Sequence, residues 1–89
     1  MKAIIVATGK DNVGIFSHIA DFTAEVKLNI EDISQTLMQG YFVMIMMVSL
    51  ETSPFSFKEI KDKLDEFSKK FNMPVRIQRT EIFDEMHSI

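Results

Sequence analysis

Cysteine is absent from this chain of 89 residues, and long apolar runs are absent as well. Without cysteine there are no disulfides, thiolate metal sites or cysteine nucleophiles, and a reducing cytoplasm is permitted. No run approaches the roughly 20 apolar residues that a membrane-spanning helix needs. The apolar part of residues 1–7 is also too short for a signal peptide and favours a strand. We therefore expect a cytoplasmic protein that does not contact a membrane.

A concentration of positive charge is also absent. The chain has 10 basic and 13 acidic residues, spread through both halves, and its formal net charge is −3. There is no basic stripe that would neutralise the phosphates of a nucleic acid. Nucleic acid is therefore not an expected partner.

What is present is the composition of one small globular domain. Hydrophobic residues make up 46% of the chain and charged residues 26%, which is ordinary for a soluble protein. A domain of this length buries only about 60–65% of the surface of its unfolded chain. Burial against a partner would therefore stabilise it.

The spacing of apolar residues predicts six elements of secondary structure. The best-signalled boundary is the start of the second helix, where Ser56 and Glu59 form a capping box. In chain order we predict a strand at 2–8, a helix from 13 to about 27, strands at 29–39 and 41–50, a helix at 57–71, a strand at 75–83 and a short tail at 84–89.

The order β-α-β-β-α-β predicts an α+β, ferredoxin-like fold for residues 1–83. Right-handed crossovers place both helices on one face of a four-stranded antiparallel sheet, with the first and third strands in its centre. The continuous apolar sequences of these two strands agree with central positions. Met44, Met46 and Met47 of the third strand are interpreted as core filler rather than as soft-metal ligands.

The stretch "GKDNVGI" joins the first strand to the first helix. It can be a simple turn, because Gly9 tolerates a positive φ while Asp11 and Asn12 cap the helix. It can also be a ligand loop, because Gly9 to Gly14 would present backbone amides beside a helix N-terminus, which suits a carboxylate. The residues alone leave both interpretations open.

Motifs for catalysis or metal binding are not found. His18 and His87 belong to no cluster at zinc spacing, Ser17 has no base near it in the sequence, and the glycine loop lacks the Lys-Ser/Thr of a P-loop. An enzyme of the acylphosphatase kind shares the predicted architecture but would need an arginine in this loop, which offers only Lys10. We expect no catalytic residues, no metal and no cofactor.

Two segments, "GKDNVGI" and "LNIEDISQTLMQGYFVMIMMV", resemble the ACT domain, a small regulatory module of amino-acid metabolism. The resemblance covers nearly the whole chain and is closest to short stand-alone bacterial ACT proteins, which are related to the ACT repeats of the glycine-cleavage repressor. It implies a domain that binds an amino acid or a similar small molecule through the strand-to-helix loop, usually between two ACT domains. With no enzyme domain attached, the chain would act on a separate regulated protein or through its own dimer.

The resemblance also implies the residues of the ligand site. Gly9, Asp11, Asn12 and Gly14 match the family's loop motif, and Asn29 and Ile30 match the segment after the helix. Val13 stands where the family often has proline or valine. We expect Asp11 and Asn29 to approach one small polar ligand. The predicted ligand-binding residues are Gly9, Asp11, Asn12, Val13, Gly14, Asn29 and Ile30.

The predicted second strand bears on the choice between functions. It is an outer strand without proline or lysine, and Glu31 and Asp32 at its start are its only charges. An edge this open usually has a partner, so we expect two copies to pair these strands antiparallel and to bury Phe16 and Ala20 of the first helix. The main hypothesis is a non-catalytic regulatory domain with an amino acid at this dimer interface. The alternative is a protein-interaction module in which the loop is only a turn.

Overall fold

The computed structural model describes residues 1–10 and 12–80, and their side chains except those of Asn12 and Val13. The sheet has the strand order β2-β3-β1-β4, and all neighbouring strands are antiparallel. The predicted fold, including the central positions of β1 and β3, is confirmed. The elements are β1 (Lys2–Gly9), α1 (Asn12–Glu25), β2 (Asn29–Met38), β3 (Tyr41–Ser49), α2 (Phe57–Phe71) and β4 (Val75–Arg79).

The core lies between the sheet and the two helices. On the helical face of the sheet, Ile5, Met44 and Met46 are completely buried, which confirms the interpretation of these two methionines as core residues. Met47 is not a core residue, because it lies on the opposite face of the sheet and is only half-buried. The apolar side of α1 is buried against the helical face, as are Ile60 and Leu64 of α2. Neither helix in the described part of the chain has the length and apolarity to span a membrane.

The hairpin between β2 and β3 turns within two residues. Gln39 and Gly40 both have positive φ angles, 51° and 80°, which is the geometry of a type I′ turn. Met38 therefore lies directly opposite Tyr41. This tight turn fixes the register, so Ile33 and Leu37 face the helices while Ser34 and Thr36 face the other way.

The capping box of α2 forms as predicted. The Glu59 amide donates to Oγ of Ser56 over 3.2 Å, and the Ser56 amide donates to Oε1 of Glu59 over 3.0 Å. The backbone and side-chain hydrogen bonds with Ser56 lower the pKa of Glu59 below its ordinary value. The stabilisation of the fold by these hydrogen bonds is fully present at pH values above the ordinary carboxyl pKa. It is lost as the pH falls through the lowered pKa of Glu59. A serine cap contributes about 1 kcal/mol.

Two predicted ends are corrected. Helix α1 ends at Glu25 rather than near residue 27, because Lys27 has a left-handed backbone conformation with a φ of 60°. The Leu28 amide donates to the Thr23 carbonyl at 2.9 Å, which closes a Schellman motif. Strand β4 ends at Arg79, since β1, its one partner among the described strands, begins at Lys2. The rest of the predicted strand, residues 81–83, and the predicted tail at 84–89 lie outside the described residues.

Candidate functional site

The connection from β1 to α1 is shorter than the sequence suggested. Strand β1 ends at Gly9 and helix α1 begins at Asn12, so Lys10 and Asp11 alone separate them. Gly14 therefore belongs to the first turn of the helix and not to a loop, which corrects the six-residue loop of the sequence interpretation. Asp11 itself lies outside the described residues, and so do the side chains of Asn12 and Val13.

Gly9 is required for space rather than for a special backbone conformation. Among the described glycines only Gly40 has a positive φ, so Gly9 does not use the positive φ that a glycine tolerates. A Cβ atom at Gly9 would lie 2.6 Å from Cδ1 of Ile15 and 3.3 Å from its Cγ1. Because Ile15 is buried at 3% exposure, it has little room to move away. The missing side chain of Gly9 lets the first turn of α1 pack directly on the end of β1.

A shallow cavity of about 250 Å³ opens at this junction. One wall is the predicted loop segment with Lys10 and His18, and the opposite wall is the turn before β4. The Thr8 amide donates to the Pro74 carbonyl at 3.1 Å and fixes that turn beside β1. The cavity is lined by Thr8, Gly9, Lys10, Gly14, Ile15, His18, Phe71, Asn72, Met73 and Pro74.

Sequence reasoning missed the second wall of this cavity. The antiparallel pairing of β1 with β4 places the beginning of β4 beside the end of β1, so the predicted topology already brought Pro74 to the loop. The turn before β4 is distant in sequence from the loop, so a prediction based on a local motif did not include it.

The described side chains that line this cavity include one lysine and no carboxylate. The first turn of α1 has no acidic side chain, whereas the first turn of α2 carries Glu59. Lys10 is exposed on the cavity wall, with Nζ 5.9 Å from the centre of the Tyr41 ring. Its ammonium group would attract a carboxylate.

Asn29 and Ile30 lie far from this cavity within one chain. Gly9 is paired with Phe42 at one end of the sheet, whereas Asn29 is paired with Ser49 and Ser49 with Lys2 at the other end. Seven residue steps along β1 separate the two ends, which is about 23 Å. At this distance Asp11 and Asn29 of a single chain would not contact the same small ligand. They can share a site only if two chains form it.

His18 closes the inner side of the cavity. Its ring stacks on Phe71 with 3.9 Å between centroids and an interplanar angle of 30°. Phe67 packs against Phe71 with centroids 4.9 Å apart. This aromatic contact divides the cavity from a longer groove between α1 and α2, which Asp21 and Glu66 border. The described residues contain no group of three side chains placed to hold a metal ion.

Strand β2 is the open edge of the sheet. Nine of its ten residues are exposed, and Ile33 is the half-buried exception. Leu37 exposes 73% of its surface and Met38 exposes 62%, while Phe16 on α1 exposes 42%. Helix α1 packs on β1 and β2, so Phe16 belongs to the element that borders this edge.

Comparisons with known proteins agree with this geometry. The sequence profile described as ACT domain matches residues 2–78. A UPF0237 protein of Clostridium acetobutylicum is 48% identical over 89 residues, which is 100% of both chains. An ACT domain protein from Streptococcus pneumoniae has a TM-score of 0.81 and 38% identity over 93% of each chain.

A more distant structure has the same fold. A proposed glycine cleavage system transcriptional repressor has a TM-score of 0.76 at 10% identity, over 86% of this chain and 45% of that one. At this identity the similarity concerns the fold alone. The profile match, the UPF0237 relative and the Streptococcus structure go further and confirm the resemblance found in the sequence: the chain belongs to the ACT domain family, whose members are typically regulatory domains that bind small molecules.

Proposed function

We propose that this protein is a non-catalytic, cytoplasmic regulatory domain that binds an amino acid or a similar small metabolite at a site shared by two copies of the chain. One observation carries the proposal. The two segments of the expected site lie at opposite ends of the sheet in one chain, and a two-fold axis through the open edge would bring them to the same end.

The edge strand supports the pairing. In an antiparallel pair of β2 strands centred on the middle of the strand, Asn29 of one copy would stand opposite Met38 of the other. Met38 is at the end of the sheet where β1 ends and α1 begins. Only β3 lies between β2 and β1, so the partner's edge would come within roughly 10–15 Å of the end of β1. A small ligand and the side chains around it span such a distance.

The apolar side chains at the edge support the same arrangement. Leu37 extends from β2 on the helical face, where it has only Phe42 of β3 as a directly opposite neighbour. Phe16 and Ala20 are one helical turn apart on α1, and Phe16 is exposed. In the centred pair Leu37 would stand opposite the exposed Ile30 of the other copy, and the two α1 helices would lie side by side. Burial of the exposed leucine and phenylalanine would then contribute to dimer stability.

The chemistry of the site fits a zwitterion. The carboxylate of an amino acid would pair with the ammonium of Lys10, and its own ammonium would pair with the carboxylate of Asp11. The side-chain amide of Asn29 from the second copy would donate to or accept from either group. The regulated protein would recognise the ligand-bound dimer by its geometry.

A thermal-shift screen of the twenty amino acids tests ligand binding. A ligand of about seven to ten heavy atoms at roughly 0.5–0.8 kcal/mol per atom has a Kd in the micromolar to millimolar range. At ten times Kd we expect about 1.4 kcal/mol of stabilisation and a Tm rise of roughly 6–10 °C for one or a few amino acids. Asn29→Ala should remove that shift and leave the unliganded Tm nearly unchanged. If no amino acid raises the Tm at millimolar concentration, the interaction module becomes the better account.

A further inference from the structure

The face of the sheet opposite the helices has an apolar band along its two central strands. This outer face consists of the strand side chains that point away from α1 and α2. The band is two strands wide, about 10 Å, because the neighbouring outer-face side chains of the edge strands, such as Ser34 on β2 and Gln78 on β4, are polar. No described element covers the band, although solvent-facing strand positions in a two-layer fold are normally polar. The band consists of Ile45, which exposes 45% of its surface, and of the half-buried Ile4, Val6, Val43 and Met47.

The width of the apolar band fits one α-helix. A helix with its side chains is about 10–12 Å in diameter, which is the width of two strands. A second sheet would cover all four strands and would remove the charges of Asp32 on β2 and Arg76 on β4 from water. The polar margins of the band therefore favour a single helix as its occupant.

The described part of the chain ends beside the apolar band. Oγ1 of Thr80 donates to the carbonyl of Lys2 at 3.3 Å, so the end of β4 is fixed next to the beginning of β1. The backbone changes from extended to helical at Thr80, and nine residues follow it in the sequence. Ile45 lies two strands across and four residue steps along the sheet from this point, about 16 Å away. A helix of nine residues is about 13.5 Å long, so residues 81–89 are long enough to reach it.

The sequence of residues 81–89, "EIFDEMHSI", has the pattern of an amphipathic helix. With 3.6 residues per turn, its four apolar side chains fall within a sector of about 120°. Glu81 and Glu85 fall one turn apart along one flank of that sector, and His87 falls on the other flank. The helix would therefore have one apolar side that matches the band. Its apolar residues are Ile82, Phe83, Met86 and Ile89.

The charges at the margins of the band match such a helix. The band extends from the end of β4 along the direction of β1, so the helix would run parallel to β1. In a sheet with right-handed crossovers, a right-handed helix in this direction with its apolar side on the band turns Glu81 and Glu85 toward β4 and His87 toward β2. The β4 margin carries Arg76 and the β2 margin carries Asp32. Each flank of the helix would thus meet a side chain that it attracts or with which it forms a hydrogen bond.

We propose that residues 81–89 form a helix that packs on the apolar band of their own chain, with Glu85 beside Arg76. The sheet would then lie between two helical layers, α1 and α2 on one face and this segment on the other. Burial of Ile4 and Ile45 under the segment would stabilise the contact. The proposal does not depend on the edge pairing or on the ligand of the proposed function.

Crosslinking of a variant with Ile4→Cys and Met86→Cys tests the proposal. The chain has no cysteine of its own, so a short bismaleimide reagent joins only the two introduced thiols. Because Met86 would lie over the band close to Ile4, we expect the reagent to link them within one chain, which mass spectrometry after denaturation shows. Ser17→Cys with Met86→Cys is the matched control, since Ser17 is exposed on α1, on the other side of the sheet. Its linkage should be at least about tenfold slower, because the two thiols would have a lower effective concentration.

Two results would overturn the proposal. One is linkage of the Ile4→Cys, Met86→Cys variant at the rate of the control. The other is a product in which position 4 of one chain is joined to position 86 of another, which would show that the segment covers another copy. If circular dichroism shows that Ile4→Cys does not fold, Ile45→Cys replaces it with the same result expected, because Ile45 is exposed. The thermal-shift screen decides amino-acid binding separately from all of these results.

Discussion

Replacing Leu37 by lysine is expected to abolish pairing through the β2 edge. Leu37 is 73% exposed in the single chain and would be covered in the pair. In the centred pair it would stand opposite Ile30 of the other copy, so a lysine there would be removed from water beside an apolar side chain. We expect the dissociation constant of the edge contact to rise about 100-fold or more, which corresponds to at least about 2.7 kcal/mol. Analytical ultracentrifugation over a concentration series measures this change.

The control for this variant is Ser17→Lys, which adds the same charge to the helix next to the edge, at an exposed position one turn before Asp21, which borders the groove between the two helices. Its dissociation constant should equal that of the unmodified chain. Both variants should retain their far-UV circular dichroism, because Leu37 and Ser17 are exposed in the single chain. Unchanged association of Leu37→Lys would show that β2 is not the pairing edge.

Replacing Gly9 by alanine is expected to destabilise the fold by about 1–3 kcal/mol, the cost of inserting a methyl group into a packed site. The new Cβ would lie 2.6 Å from Cδ1 of Ile15, so either the isoleucine leaves its rotamer or the first turn of α1 lifts from β1. Urea denaturation measures the loss. For a domain of this size it corresponds to a Tm decrease of at least about 4 °C.

The Ile15→Val variant identifies the contact responsible, because it removes the Cδ1 atom. Alone it should cost about 0.5–1.5 kcal/mol for the lost methyl group. Combined with Gly9→Ala it should be less destabilising than the sum of the two single effects, since the alanine methyl would occupy part of the vacated space. If the two effects add, the contact with Ile15 is not what requires glycine at position 9.

The fold was predictable because local and global signals agree in this sequence. The capping box at Ser56 and Glu59, the turn at Gln39 and Gly40, and the apolar spacing of both helices each fix one element. Handedness rules then leave one arrangement of the strands. The ends of α1 and β4 were less predictable. A left-handed Lys27 is not signalled by its residue type, and the end of β4 depends on where its partner strand begins.

The geometry of the candidate site was not predictable from the sequence. A glycine next to a helix start suggested a positive φ, whereas the requirement at Gly9 comes from Ile15, six residues later. The distance of Asn29 from the loop follows from the register of three strands, which a motif does not contain. The two-chain nature of the proposed site is a consequence of this register.

Ligand binding by a mixed assembly of two defective variants tests the central claim, a site shared between two chains. Asp11→Ala and Asn29→Ala each remove one proposed half of every site, so neither variant alone should bind the amino acid found in the screen. An edge-paired dimer with one chain of each kind has one site that lacks both groups and one that lacks neither. Two different affinity tags on coexpressed chains allow isolation of the mixed assembly, and its mass confirms that it has formed.

Isothermal titration calorimetry of that assembly then decides the question. If the site is shared, binding returns with the affinity of the unmodified protein and with one ligand for every two chains of the mixed pair. If each site lies within one chain, every chain in the mixture is defective, and the titration shows no binding although the unmodified protein binds. That result would contradict the account.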